Sequence, residues 1–267
     1  MIGVFDSGLG GLSVLKEFLR FLPQYDYIYL GDSARVPYGG RTPETIYTYT
    51  CEALDFLFDH GCELVILACN TASASALRRV QQEYLPKYYP GKKVLGVIFP
   101  LAEAAAATRF ERIGVIGTRS TIASGVYAAE IAKLNPRMEV FSRATPLLVP
   151  LIEEGWSNKP ETRMILKKYL HSLKVKRVQA LILGCTHYPF ILPIIKKIMG
   201  KHCLVFDPGK VVAASLSDYL YRHQELNIKS SDSPVYKFYT TDDEARFRQL
   251  GERFLGVKMD NIERIRL

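Results

Sequence analysis

Residues 64–71 read LVILACNT, and residues 180–186 read ALILGCT. Each is a short apolar, strand-forming run closed by a small residue, a cysteine and a residue carrying a hydroxyl or an amide. The two cysteines, Cys69 and Cys185, lie 116 positions apart. Other pairs recur in the same order at nearly the same offset. Ile2-Gly3-Val4 returns as Ile113-Gly114-Val115 after 111 residues, Val36-Pro37 as Val149-Pro150 after 113, and Pro43-Glu44-Thr45 as Pro160-Glu161-Thr162 after 117. Self-similarity at a steady offset marks a duplicated unit.

Around the repeat, short apolar runs alternate with amphipathic stretches. The strands expected are Ile2–Phe5, Tyr27–Leu30, Leu64–Leu67, Val94–Val97, Ile113–Ile116, Glu139–Phe141, Ala180–Leu183 and Leu204–Phe206. Continuous apolar runs of this length suit parallel strands buried on both faces. Residues 43–60 carry a helical period, with Thr42 as N-cap, Pro43 in the first turn and Gly61 as the stop. The alternation predicts an α/β fold made of two pseudo-symmetric parallel-sheet α/β domains. Ligands of such folds gather at the carboxyl ends of the strands, so the cleft between the two halves is the place for chemistry. Each half presents one cysteine there.

Two thiols facing each other across a ligand have a specific use. To invert a stereocentre that bears a hydrogen, a base removes the proton from one face and an acid returns one to the other. The reverse reaction exchanges the roles, so like groups on opposite faces serve both directions. Cysteine suits this because its ordinary pKa of about 8.5 is readily lowered at a helix N-terminus or beside an imidazolium. Both cysteines stand where a strand gives way to a helix, which predicts thiolate stabilised by the helix dipole. Asp32 is placed to orient or deprotonate the thiol on the Cys69 side, and Glu153 and His187 on the Cys185 side. Asp6-Ser7 leads into the turn Gly8-Leu9-Gly10-Gly11, whose N–H groups can face an anion. Asn70, Thr71, Thr186 and the segment Tyr38-Gly39 offer neutral donors to carboxylates.

The totals narrow the class. The chain of 267 residues is 48% hydrophobic and 23% charged, enough for one large or two smaller globular domains. No apolar run reaches the roughly 18 residues of a membrane span, and MIGVFDSG has no secretory pattern. Five scattered cysteines, an odd number with no Cys-x-x-Cys, predict a reducing cytoplasm rather than a disulfide framework. The net charge of +8 raises nucleic-acid binding. Pairs such as Arg78-Arg79, Lys167-Lys168 and Lys196-Lys197 read instead as solvated helix faces, and no recognition motif accompanies them. No cofactor is expected: GLGG is not the dinucleotide fingerprint, and no phosphate-binding P-loop or Schiff-base lysine context exists. A metal on Cys69, Cys185 and His187 lacks a fourth ligand.

Several motifs occur in order: FDSGLGGLSVL (5–15), LGDSARVPYGGR (30–41), ACNTAS (68–73), PLLVPLIEEG (146–155), LGCTHYP (183–189) and FYTTDDEARFRQLGERFLG (238–256). Together they resemble the cofactor-independent aspartate/glutamate racemase superfamily, in its bacterial glutamate racemase branch, over the whole length. The resemblance implies a first domain of residues 1–97 plus 208–267, a second of 98–207, and interconversion of L- and D-glutamate for peptidoglycan synthesis. It makes Cys69 and Cys185 the two acid/bases, tuned by Asp32, Glu153 and His187. It makes Asp6, Ser7, Tyr38, Gly39, Asn70, Thr71, Thr186 and His187 substrate contacts, with Thr118 and Thr121 added for carboxylate binding. It also implies a homodimer and, in some members, an effect on DNA gyrase.

Other readings remain open on the residues alone. Racemisation of aspartate or another amino acid uses the same two thiols. A thiol hydrolase needs only one cysteine with His187 as base. Cys51, Cys62 and Cys203 read as core thiols. His60, His171, His202 and His223 read as surface or capping residues.

Overall fold

A computed structural model describes all of residues 1–267. Ten strands form two wholly parallel sheets: β1 (Ile2–Asp6), β2 (Tyr27–Gly31), β3 (Leu64–Leu67), β4 (Lys93–Gly96), β5 (Arg112–Gly117), β6 (Glu139–Ala144), β7 (Ala180–Gly184), β8 (Leu204–Val205), β9 (Tyr236–Thr240) and β10 (Ile262–Arg264). The first sheet has the order β10-β9-β2-β1-β3-β4 and the second β6-β5-β7-β8. The series β2-β1-β3-β4 is therefore repeated as β6-β5-β7-β8. Register repeats with it: Ile2 pairs with Leu64 across β1 and β3, and Ile113 pairs with Ala180 across β5 and β7. The duplicated unit expected from the spacing is visible as topology.

Strands β1, β2, β3 and β7 are buried along their whole length. Each is covered by helices on both faces, which is why these segments read as unbroken apolar runs. β6 differs. It is an edge strand, half-buried or exposed throughout, and it runs on to Ala144 with Arg143 facing water. β8 is only two residues long, shorter than expected. β9 and β10 were not among the expected strands; they extend the first sheet beyond β2. β9 carries Lys237 between its aromatics, and β10 is a three-residue edge strand without an apolar run.

The helix Pro43–Asp59 starts as expected. Thr42 Oγ1 accepts from the N–H of Thr45 at 3.2 Å, and the chain leaves the helix through Gly61 at φ +85. The two sheets share one apolar core. Ile2 and Val4 of β1 and Leu12, Leu15 and Phe18 of the helix Leu12–Phe21 form one buried cluster with Leu181 and Leu183 of β7 and Leu166 and Leu170 of the helix Pro160–Val175. Each such side chain contributes about 1.5–3 kcal/mol when fully buried. That shared core fixes the halves against each other and holds the cleft at their carboxyl edges in shape. No helix is long and apolar enough to cross a membrane.

Candidate active site

Every central strand delivers a polar group to the cleft. β1 delivers Ser7, β3 delivers Cys69, β5 delivers Thr118, and β7 delivers Cys185, Thr186 and His187. These are the β1/β3 switch point of one sheet and the β5/β7 switch point of the other, where strand order reverses and a crevice opens. A cavity of about 330 Å³ lies between them, lined by both cysteines and by Ser7, Tyr38, Gly39, Asn70, Thr71, Thr118, Glu153, Thr186 and His187. Its size is at the lower end of the range for small-molecule sites.

Cys69 caps the six-residue helix Asn70–Ser75. Its sulfur accepts from the Ala72 N–H at 3.5 Å, and its thiol donates to Ser7 Oγ at 3.4 Å. Burial, with the nearby Asp6 carboxylate adding to it, pushes the thiol up to about 12 against the weaker pull of those two bonds. The thiolate expected from the helix dipole is thus overruled: a six-residue helix offers less than the sulfur loses by leaving water.

The other wall is built differently. His187 is buried, with Nδ1 at 3.8 Å from Cys185 Sγ and Nε2 at 3.0 Å from Glu153 Oε1. Burial works against the charged imidazolium, but its hydrogen bonds to the Cys185 sulfur on one side and the Glu153 carboxylate on the other outweigh it and hold His187 up at about 10. Glu153 ends the helix Leu148–Glu153; burial works against its charge too, and His187 and Arg246 together pull it below the usual carboxylate range. The helix expected directly after Cys185 is a short 3-10 turn, Tyr188–Ile191. The positive charge near this sulfur is therefore that of His187 rather than of a helix end.

Asp6 does not line the cavity. It is fully buried beneath it, accepting from the Gly8 N–H at 3.0 Å and from Thr186 Oγ1 at 3.2 Å. Burial raises its pKa, opposed by the His187 charge and the N–H groups of Gly11 and Gly8. The glycine turn thus turns its N–H groups to Asp6, not to an outside anion. Gly10 has a steric reason to be glycine, because a Cβ there would run into Thr186 Oγ1 and the His187 ring. Ser13 Oγ donates to Thr186 O at 2.8 Å, a second tie between the halves.

Asp32 also lies outside the cavity. Its carboxylate accepts from Arg35 Nε at 2.6 Å, from Thr241 Oγ1 at 2.8 Å and, in a very short bond, from Tyr38 OH. No hydrogen bond joins it to Cys69, and it reaches the cavity only through Tyr38. Gly39 presses against Thr118, where a Cβ would stand 2.7 Å from the threonine Cβ.

Thr71 Oγ1 lies 3.0 Å from Thr118 Oγ1 and 3.3 Å from Thr121 Oγ1, and the latter two are 3.0 Å apart. This triangle of hydroxyls spans the two halves; Thr71 and Thr118 face the cavity and Thr121 is buried behind them. Sequence reasoning missed Tyr127, whose OH donates to Asn70 Oδ1 at 2.6 Å and sets that amide. It also missed Arg119, Thr145, Pro146 and Val149 in the lining. Arg119 carried a signal as a cation beside the expected Thr118, and Val149 as the repeat partner of Val36, which lines the cavity too.

A cavity with one thiol on each wall, roofed by hydroxyls and an amide, is suited to moving a proton across a small amino acid. The profile of the Asp/Glu/hydantoin racemases matches residues 2–216. A glutamate racemase of Geobacter metallireducens is 43% identical over 268 residues, covering 100% of this chain and 96% of that protein. Among solved structures, the glutamate racemase of Francisella tularensis in complex with D-glutamate superposes with a TM-score of 0.89 at 38% identity, covering 99% of this chain and 97% of that one. The Bacillus anthracis glutamate racemase gives a TM-score of 0.93 at 34% identity, covering 100% and 97%. The protein is an isomerase, an amino-acid racemase. It belongs to the Asp/Glu/hydantoin racemase family.

Proposed function

We propose that this enzyme interconverts L- and D-glutamate without a cofactor, by proton transfer between Cys69 and Cys185 across the substrate α-carbon. D-glutamate formed in this way supplies peptidoglycan synthesis. The observation that carries the reading is topological. The two sulfurs end equivalent strands of a repeated sheet and line the same cavity from its two walls.

In the resting enzyme Cys69 is the acid, because burial keeps it a thiol at neutral pH. Cys185 serves as the base in this direction, the His187 imidazolium beside it balancing the negative charge that sulfur carries as it acts. A substrate entering with its α-hydrogen toward Cys185 loses the proton to that sulfur, and the carbanion is reprotonated from the opposite face by the Cys69 thiol. The opposite enantiomer then finds the two protonation states reversed. At that point the Ala72 N–H and Ser7 hydroxyl steady the Cys69 thiolate. Ser7, Asn70, Thr186 and the Thr71–Thr118 hydroxyls hold the substrate's carboxylates and ammonium, with Thr121 supporting them from behind and Tyr38-Gly39 closing one side. Asp6 acts through Thr186, and Asp32 through Tyr38. The chain is organised as residues 1–97 plus 208–267 against 98–207. It works as a homodimer, a reading supported by the resemblance, and in the cytoplasm, a reading supported by its five free cysteines.

The test is optical activity and α-deuterium incorporation on incubating L-glutamate in D₂O with the purified protein, beside L-aspartate. Loss of rotation with α-deuteration for glutamate alone is the expected result. Turnover of aspartate in its place would sink the substrate assignment, and no exchange with either would sink the mechanism.

A second reading rests on one observation: Cys185, His187 and Glu153 line up as nucleophile, base and orienting acid. A thiol hydrolase built on them has no use for Cys69, so its activity on a thioester or amide would survive Cys69→Ala.

A further inference from the structure

The segment from Thr162 to Phe206 holds nine lysines and arginines and not one aspartate or glutamate. The remainder of the chain then carries 26 Lys and Arg against 27 Asp and Glu, so the whole positive excess of the protein sits in this segment. In the fold it becomes the outer face of the helices Pro160–Val175 and Leu192–Met199 and the turn that follows. All nine cations are exposed, and none has a carboxylate within ion-pairing distance. Elsewhere the cations are interspersed with carboxylates, and several are paired: Arg79 with Glu44 and Glu83, Lys92 with Glu63, and Lys133 with Glu130. The pairs Lys167-Lys168 and Lys196-Lys197, each an ordinary solvated face when read alone, converge from two helices onto one surface. A shallow groove between them is lined by Arg163, Lys167, His171, Lys174 and Lys197.

We propose that this face docks the enzyme on an anionic membrane surface. Clustered, unpaired lysines are drawn to acidic headgroups, each adding roughly the same increment of affinity while it remains within a screening length. The arrangement on Pro160–Val175 suits a lipid surface better than a nucleic acid. Met164, Lys168, His171 and Val175 follow the spacing of one helical ridge, and Met164 is 67% and Val175 65% exposed. Two apolar side chains standing among lysines can enter the headgroup boundary, whereas a phosphodiester backbone gives them nothing to touch. No exposed Phe, Tyr or Trp stands on either helix to give a base a stacking platform. A second copy of the chain is not the occupant, because a two-fold interface would set this patch against itself, like charge on like charge. The cleft lies at the carboxyl edges of the sheets, lined by none of these residues. Docking thus leaves the active site free.

The experiment is co-sedimentation of the full protein with phosphatidylcholine vesicles made with and without phosphatidylglycerol, alongside fluorescence anisotropy with single- and double-stranded oligonucleotides. Binding to the anionic vesicles alone, weakened by salt, is the expected result. The variant Lys167→Glu/Lys174→Glu/Lys196→Glu/Lys197→Glu should lose at least about tenfold in vesicle affinity while keeping its circular dichroism and its racemase turnover. Met164→Ser/Val175→Ser, which changes no charge, should weaken vesicle binding and leave any oligonucleotide signal untouched. Tight oligonucleotide binding without vesicle binding would overturn the proposal in favour of a nucleic-acid surface. Absence of vesicle binding, or equal binding by the charge-reversal variant, would overturn it outright.

Discussion

Glu153 Oε1 accepts a hydrogen bond from His187 Nε2 at 3.0 Å, joining residues that belong to different elements of the second half and to one wall of the cleft. The carboxylate keeps the imidazole charged, and the imidazole in turn faces the Cys185 sulfur. The pair is neutral as a whole, but it turns the positive ring toward the sulfur and keeps the balancing carboxylate on the far side.

Its pH signature has a definite sign. His187 is held up at about 10 in the folded protein, against about 6.5 for a free histidine. The stability it contributes is complete below the unfolded value and is lost as pH rises through about 10. Replacing Glu153→Gln removes one of the two partners. The His187 titration and the alkaline limb of kcat/KM should then both move down by about one pH unit or more. NMR of the imidazole and a pH–rate profile measure the two independently. An unmoved limb would mean that this pair does not govern the reaction.

Cys69→Ser and Cys185→Ser should each lower racemisation by about a thousandfold or more, since a hydroxyl is a far weaker acid and base than a thiol at neutral pH. Each single variant keeps one working wall. It should still wash deuterium into one enantiomer of glutamate and not the other, with the favoured enantiomer opposite in the two variants. Mass spectrometry of each enantiomer after incubation in D₂O reads this directly. Exchange into both enantiomers by either variant would break the two-base assignment.

Asp32 is a positioning residue in this geometry. With Asp32→Ala, Arg35 and Tyr38 lose a buried acceptor. The loss should cost about 2–4 kcal/mol, less than a fully buried ion pair because Arg35 remains partly exposed. That corresponds to a Tm lower by roughly 5–15 °C for a chain of this size. KM should rise as Tyr38 loosens, while the pH limbs of turnover stay in place. Displaced limbs in Asp32→Asn would instead assign it a direct part in proton transfer.

The threonine triangle should act on binding. Thr118→Val removes one of the two members that face the cavity, and with it two of the triangle's three contacts. KM for glutamate should increase about threefold to tenfold with kcat nearly kept, the scale of one lost hydrogen bond. Equal loss in kcat and kcat/KM would place the triangle at the transition state instead.

Much of this was legible in the sequence because duplication leaves a record in spacing. The strand-plus-cysteine repeat anticipated two equivalent sheets, and the sheets repeat both order and register. The polar residues flanking Cys69 and Cys185 were legible too, since strand ends in parallel sheets feed one edge. What escaped depends on partners far away in the chain. Whether Asp6 faces substrate or lies beneath it is decided by Thr186, 180 positions on. Asp32 is taken up by Thr241, 209 positions on. β9 and β10 escaped because pairing with β2 stabilises them, not their own composition.

The two walls of the cleft are unequal: one sulfur sits near a buried carboxylate and a serine, the other beside a charged imidazole. Yet the two enantiomers of an amino acid have the same free energy in water, so the equilibrium constant is one whatever the enzyme does. The ratio kcat/KM must then be identical for the L- and D-substrate. The difference between the walls can appear only as a shared scaling of kcat and KM, with the enantiomer that binds more tightly turning over more slowly by the same factor. Symmetry of outcome comes from the mirror relation of the two substrates, and it leaves the duplicated halves free to diverge.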